Sequence, residues 1–187
     1  MIMSTISLRR DHELIEKVIK AMESTIQLLN DDKQIPESIL LPVIDFSKNF
    51  TDVCHHSKEE KSLFPALEKA GLPSNMGPIA MMLMDHQRSR EIGTQMEESA
   101  KEYLSSGDST KLISDMQQYV EHITEHLWKE NNKLFMMAEA RLQYVSEKVD
   151  KELNEIEKSK LDDLGKTREH YEQLAENLTK DVSQQGS

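Results

Sequence analysis

One ten-residue segment of this chain occurs twice. The first copy, HHSKEEKSLF, begins at His55, and the second, HLWKENNKLF, begins at His126. Five positions are identical in the two copies: His55/His126, Lys58/Lys129, Glu59/Glu130, Leu63/Leu134 and Phe64/Phe135. In each copy a glutamate follows the histidine by four residues, and side chains at i and i+4 share one face of a helix. The repeat predicts two helices that each present an imidazole and a carboxylate to one point.

A second pair of matching segments accompanies this repeat. Asp11-His12 corresponds to Asp85-His86, and the chain therefore reads as two copies of one helical hairpin, related by a pseudo-twofold axis. Each copy contributes a lone histidine and one His-x-x-x-Glu pair. The candidate metal ligands are His12, His55, Glu59, His86, His126 and Glu130.

Turn residues divide the sequence into long segments in which apolar residues alternate at spacings of three and four. This pattern predicts an all-α fold, an antiparallel up-down four-helix bundle with additional C-terminal helices. We expect helices α1 to α4 near residues 6–30, 37–70, 77–105 and 109–147. Residues 1–147 would form the bundle. Residues 148–187, divided by Gly165, would form a helical extension packed on the bundle or used in assembly.

The second helix gives two conflicting indications. Its apolar phase predicts that His56 and Glu60 point inward, whereas the repeat predicts His55 and Glu59. We favour the repeat, because a local bulge can shift the phase of a helix. His56 and Glu60 are then candidates for supporting residues beside the ligands, which would fix the ligand tautomers.

Four imidazoles and two carboxylates form a donor set suited to iron, manganese or zinc. An ionised glutamate inside a bundle is costly unless it is paired or bound to a cation, and two dications would neutralise both glutamates. A lone histidine on an apolar face is more often an ordinary core residue. Six such residues in duplicated register favour a metal site. Bridging carboxylates would hold the metals about 3.5 Å apart and leave coordination positions open.

Four segments of the chain resemble the hemerythrin-like family, the HHE cation-binding domain: DHELIEKVI, CHHSKEEKSLFP, MMLMDHQRSR and EHLWKENNKLF. The resemblance covers about residues 8–140. It implies a non-haem centre of two iron ions with a bridging oxo or hydroxo group. It also implies roles in binding dioxygen, nitric oxide or peroxide, or in handling iron.

Oxygen-carrying hemerythrins use five histidines and two carboxylates, whereas four histidines match here. This difference favours a sensing or redox role over reversible oxygen carriage. His122 is an alternative ligand that would supply a fifth imidazole. Tyr119, on the same helix as His126, is a candidate donor of a hydrogen bond to a bound ligand.

The net charge of -11 argues against nucleic-acid and anionic-membrane partners, because phosphate binding needs a basic surface. A single cysteine, Cys54, excludes an internal disulfide and is typical of a reducing compartment. No apolar run is long enough to span a membrane. We expect a soluble cytoplasmic protein, and its oligomeric state stays open.

The function that these observations favour is a non-haem di-iron protein that binds a small diatomic ligand or peroxide for sensing, storage or detoxification. One alternative is a di-iron redox enzyme, such as a peroxidase, a nitric oxide reductase or an iron-centre repair protein. Another is a metal buffer. Whether the protein is an enzyme stays open at this point.

Overall fold

The computed structural model describes residues 3–186, which form long helices joined by short turns, with no β-strand in that range. The predicted all-α fold is confirmed. The six long helices are α1 (Met3–Asn30), α2 (residues 37–69), α3 (Gly77–Ser106), α4 (residues 110–141), α5 (Ser146–Leu164) and α6 (Arg168–Gln185). None of the described helices combines the length and hydropathy that a membrane span requires.

Helices α2 and α4 are not uniformly α-helical. In α2, α-helical Glu37–Asp45 and Phe64–Lys69 enclose π-helical Phe46–His56 and Glu59–Leu63. In α4, π-helical Glu130–Leu134 lies between α-helical Thr110–Lys129 and Phe135–Arg141. A π turn holds more residues than an α turn, so it rotates the side chains that follow. This explains the conflicting phases in α2, where both His55 and His56 are fully buried.

The first four helices form the bundle, and the last two lie against its α1–α2 side. We call α5 and α6 together the C-terminal hairpin. Gly165 ends α5 with a left-handed φ of 63°, and the Thr167 hydroxyl begins α6 by accepting a hydrogen bond from the amide of His170. The ring of Tyr171 is fully buried against Phe46 and Phe50 of α2. The hairpin therefore shares its core with the bundle.

The fourth helix is shorter than predicted. It ends at Arg141 rather than near residue 147, because buried Leu142 leaves the helical conformation with φ -103° and ψ 13°. A 3₁₀ turn at Gln143–Val145 then directs the chain into α5, which begins at Ser146. The division of the chain into domains at residue 147 stays a prediction.

A layer of buried polar residues separates two apolar cores. Along every bundle helix the ligand candidates stand between a residue of one core and a residue of the other, as His12 does between Leu8 and Leu14. Both cores exclude water from this layer. The layer itself contains His12, His55, His56, Glu59, His86, His126 and Glu130, each 2 % exposed or less.

Tyr171→Ala tests how firmly the hairpin is attached. Removing this fully buried ring leaves a cavity against Phe46 and Phe50, so we expect a loss of about 3 kcal/mol or more in the free energy of unfolding. Tyr144 is 100 % exposed, and Tyr144→Ala should change the same quantity by less than about 0.5 kcal/mol. Urea unfolding followed by circular dichroism measures both. Equal effects of the two substitutions would contradict the packing described here.

Candidate metal centre

The bundle gathers the six predicted ligands into two groups of four. The ligand atoms of His12, His55, Glu59 and Glu130 lie within 4.8 Å of one another. Those of Glu59, His86, His126 and Glu130 meet the same limit. Both glutamates belong to both groups. Two ions, one in each group, would therefore share two carboxylates.

The nitrogen that each histidine directs into the layer is Nε2. The Nε2 atoms of His12 and His126 lie 3.3 and 3.4 Å from Oε2 of Glu130. Those of His86 and His55 lie 3.3 and 3.8 Å from Oε2 of Glu59. Carboxylates and imidazoles from all four helices thus converge on one volume.

The other ring nitrogen, Nδ1, faces away from the layer and has its own partner in most of these histidines. The Nδ1 atom of His12 donates to Asn131 at 3.0 Å. That of His55 donates to Asp11 at 3.2 Å, and that of His86 donates to Glu60 at 2.8 Å. Metal-ligating histidines characteristically donate the second N–H in this way, which fixes the tautomer and raises the basicity of the ligand. In His126 the Nδ1 atom is 3.6 Å from Asp85, which is too long for a hydrogen bond.

The donor atoms lack partners that would explain their burial. Within residues 3–186, no carboxylate oxygen of Glu59 or Glu130 has a hydrogen-bond partner. The Nε2 atoms of His12 and His55 face each other at 3.3 Å, and both rings donate through Nδ1. Two lone pairs would therefore oppose each other unless a cation or a proton lay between them. Buried groups of this kind are costly when unpaired, so the residues fit a bound metal.

The pKa shifts of Glu130 and His86 also indicate that this layer favours positive charge. Burial opposes ionisation of Glu130, but the neighbouring His126 and His12 outweigh it and hold its pKa well below the usual range. Burial disfavours the charged form of His86, yet the neighbouring carboxylates of Glu130, Glu59 and Glu60 raise its pKa well above the usual value. The layer attracts a cation, either a proton or a metal ion.

His56 and Glu60 have different roles in the structure. The His56 ring stacks on His86 with centroids 3.9 Å apart, and its Nε2 has no hydrogen-bond partner in the described chain. With His86 and His126 it forms a third group of ligand atoms within 4.8 Å. Glu60 stands behind the layer, where it accepts hydrogen bonds from His86 and from Arg90. The layer therefore holds five imidazoles.

His122 and Tyr119 point elsewhere. Nε2 of His122 donates to the carbonyl oxygen of Asp85 at 2.9 Å, and His122 belongs to none of the ligand groups formed by the described residues. The structure therefore does not bring His122 together with the candidate ligands, and its role as an alternative fifth ligand stays a prediction. Tyr119 is buried, and burial raises its pKa to about 12 despite hydrogen bonds with Ser47 and Thr51. With His56 it lines a cavity of about 240 Å³ between α2 and α3.

Sequence reasoning assigned no role to two repeated ion pairs. Lys58 Nζ lies 2.7 Å from Asp11, and Lys129 Nζ lies 2.8 Å from Asp85. Each aspartate faces the Nδ1 atom of a histidine in the layer. The sequence did contain a signal for these ion pairs. Each lysine occupies an identical position in the two copies of the repeat, and each aspartate directly precedes a candidate ligand.

Comparison with known families agrees with this geometry. The family model described as the hemerythrin HHE cation binding domain matches residues 5–138. The chain belongs to this family. The match extends from α1 into the last turns of α4 in this hemerythrin-like protein, and the C-terminal hairpin lies beyond it. Neither the curated proteins nor the solved structures include a significant match.

Glu60→Gln tests the support behind His86. Burial opposes ionisation of Glu60, but hydrogen bonds from His86 and Arg90 outweigh it and lower its pKa to about 2. A pKa lowered by folding stabilises the protein above the unfolded-state value, and this contribution is lost as the pH falls toward the folded-state value. Glu60 is 26 % exposed, so we expect a difference of about 1 to 2 kcal/mol at pH 6.

The measurement is urea unfolding of metal-free protein at several pH values between 6 and 3. The stability difference between wild type and Glu60→Gln should shrink as the pH falls through this range. Glu91→Gln is the control, because Glu91 is half exposed and pairs only with exposed Arg88 and Gln87 among the contacts of the described chain. A difference at Glu60 that did not depend on pH would rule out this linkage.

Proposed function

We propose that this hemerythrin-like protein binds two iron ions through His12, His55, Glu59, His86, His126 and Glu130, with His56 as a seventh ligand. Manganese and zinc suit the same donors. The single observation that carries the proposal is the sharing of two buried, otherwise unpartnered carboxylates by two ligand groups. Glu59 and Glu130 would bridge the ions, together with an oxo or hydroxo group.

The two ions would differ in how many protein ligands they have. The group with His12 and His55 supplies two imidazoles. The other group supplies His86 and His126, and His56 adds a third imidazole there. An octahedral ion beside His12 and His55 keeps a position open for dioxygen, nitric oxide or peroxide. We propose sensing, storage or detoxification of such a molecule as the function.

His56 also bears on reversible oxygen binding. With it, the layer offers five imidazoles and two carboxylates, the donor count that the family resemblance associates with oxygen-carrying hemerythrins. Reversible binding of dioxygen is therefore part of the proposal. The surrounding residues of this chain would orient the ligands through Nδ1 and keep bulk water out through the two apolar cores.

A redox enzyme is the second candidate, and Asp52 is the observation that favours it. Burial raises the pKa of Asp52 despite the nearby Arg90 guanidinium, and its carboxylate contacts Nδ1 of His56 at 3.3 Å. Both residues line the cavity between α2 and α3. Asp52 could thus hold a proton beside the centre. Such an enzyme would also need an external electron donor.

His126→Ala tests the metal assignment. Loss of this imidazole removes one of the donors nearest Glu130, so we expect iron to fall to about one atom or less per chain. His122→Ala is the matched control, because His122 lies one turn earlier on α4 and bonds to α3 instead. The measurement is iron analysis with an absorption spectrum. Unchanged iron and spectrum in His126→Ala would refute the assignment of α4.

Ligand addition separates the candidate functions. Protein purified in air, then reduced and exposed in turn to dioxygen, nitric oxide and peroxide, should show a ligand-dependent charge-transfer band if it binds these molecules. Catalytic turnover of peroxide or nitric oxide would support the enzyme instead. A colourless zinc protein that responds to none of them would support a metal buffer and contradict the proposal.

A further inference from the structure

The C-terminal hairpin meets the buried polar layer through an ionic cluster, of which two residues are fully buried and two are partly exposed. We call Asp11, Lys58, Glu157 and Arg168 the Asp11 cluster. Lys58 Nζ contacts Asp11 at 2.7 Å and Glu157 at 2.6 Å. One guanidinium nitrogen of Arg168 contacts Asp11 at 2.7 Å and Glu157 at 3.1 Å. Glu157 belongs to α5 and Arg168 to α6, so half of the cluster comes from outside the family match.

The cluster ends at a proposed metal ligand. Asp11 accepts a hydrogen bond from Nδ1 of His55 with one carboxylate oxygen, and from Arg168 with the other. The side chains of Asp11 and Lys58 are both 0 % exposed. A carboxylate at this depth needs positive partners on more than one side, and Arg168 supplies one of them. The orientation of Asp11, and through it that of His55, therefore depends on α6.

Among the described residues, the half of the bundle formed by α3 and α4 has no comparable contact with the C-terminal hairpin. Asp85 and Lys129 repeat the Asp11–Lys58 pair, but they are 16 % and 17 % exposed. The further partner of Lys129 is Glu125 of its own helix at 3.4 Å. Asp85 lies 3.6 Å from Nδ1 of His126, compared with 3.2 Å between Asp11 and His55. The pseudo-twofold symmetry of the ligands is broken by the hairpin.

We propose that Arg168 and Glu157 are positioning residues for one of the two metal ions. They hold Asp11 against His55 and so keep Nε2 of His55 directed into the layer. The ion between His12 and His55 depends on the hairpin, and the ion between His86 and His126 does not. The dependent ion is also the one with two imidazoles instead of three, so a misplaced His55 removes half of its nitrogen donors. This inference rests on the proposed two-metal site.

Stepwise binding of cobalt(II) tests it. Metal-free full-length protein is titrated anaerobically with cobalt, whose visible absorption reports the coordination of each ion. Wild type should bind two equivalents. Arg168→Gln should weaken one equivalent by about tenfold and change its absorption, while the other equivalent is unaffected. Arg168→Lys, which keeps a cation near Asp11, should recover most of the affinity.

Two further variants complete the comparison. Lys129→Gln changes the cation beside Asp85, the counterpart of Asp11 in the α3–α4 half. We expect it to weaken neither equivalent by more than about threefold, because Asp85 makes no hydrogen bond to His126. Glu157→Gln removes the carboxylate that Lys58 and Arg168 share, and it should weaken the same equivalent as Arg168→Gln by a smaller factor. It serves as the test if Arg168→Gln does not fold, as judged by circular dichroism.

The outcomes are distinct. Equal weakening of both equivalents by Arg168→Gln, or no weakening of either, overturns the positioning role. Failure of Arg168→Lys to recover any affinity also overturns it, because a cation at this point should hold Asp11 in place. If wild-type protein binds fewer than two cobalt ions, the two-metal site itself is refuted, whatever effect the Arg168 substitutions have.

Discussion

The structure depends on the burial of two carboxylates among five imidazoles. Glu59 and Glu130 lie at the centre of the bundle, with apolar cores on both sides and no hydrogen-bond partner in the described chain. Low polarity strengthens their attraction for a cation and makes an unpaired carboxylate costly. Four helices must converge to supply the nitrogen donors. The fold and the site are therefore parts of one arrangement.

The sequence repeat makes this arrangement nearly symmetric, and features outside the repeat make the two groups of candidate ligands different. The π turns at Glu59–Leu63 and Glu130–Leu134 occupy corresponding positions, so the local geometry is repeated together with the ligands. The longer π segment Phe46–His56 occurs in α2, where it brings His56 into the layer. The hairpin covers the Asp11–Lys58 pair beside His55, whereas the corresponding Asp85–Lys129 pair beside His126 is partly exposed to solvent. The group with His86 and His126 gains a candidate ligand, and the group with His12 and His55 gains external support.

Much of the site could be predicted because its pattern is local. His55 and Glu59 lie four residues apart, and one helix face suffices to bring them together. The fourth helix ends earlier than the sequence predicts, because no glycine or proline marks a turn between Leu142 and Gly165 and only packing turns the chain at Leu142. His122 lies outside the groups of candidate ligands for a similar reason, because its Nε2 donates to a carbonyl oxygen of α3 and no spacing within α4 predicts that contact.

The sequence alone determined the types of candidate ligand, their duplicated spacing and the helical class, because helix periodicity links spacing to a common face. Tertiary structure decided which ring nitrogen points inward, how a π turn admits His56 and which charges stand behind each histidine. Asp11 and Arg168 meet although 157 positions separate them. Contacts of that kind depend on how α6 packs on α1, and no local periodicity encodes them.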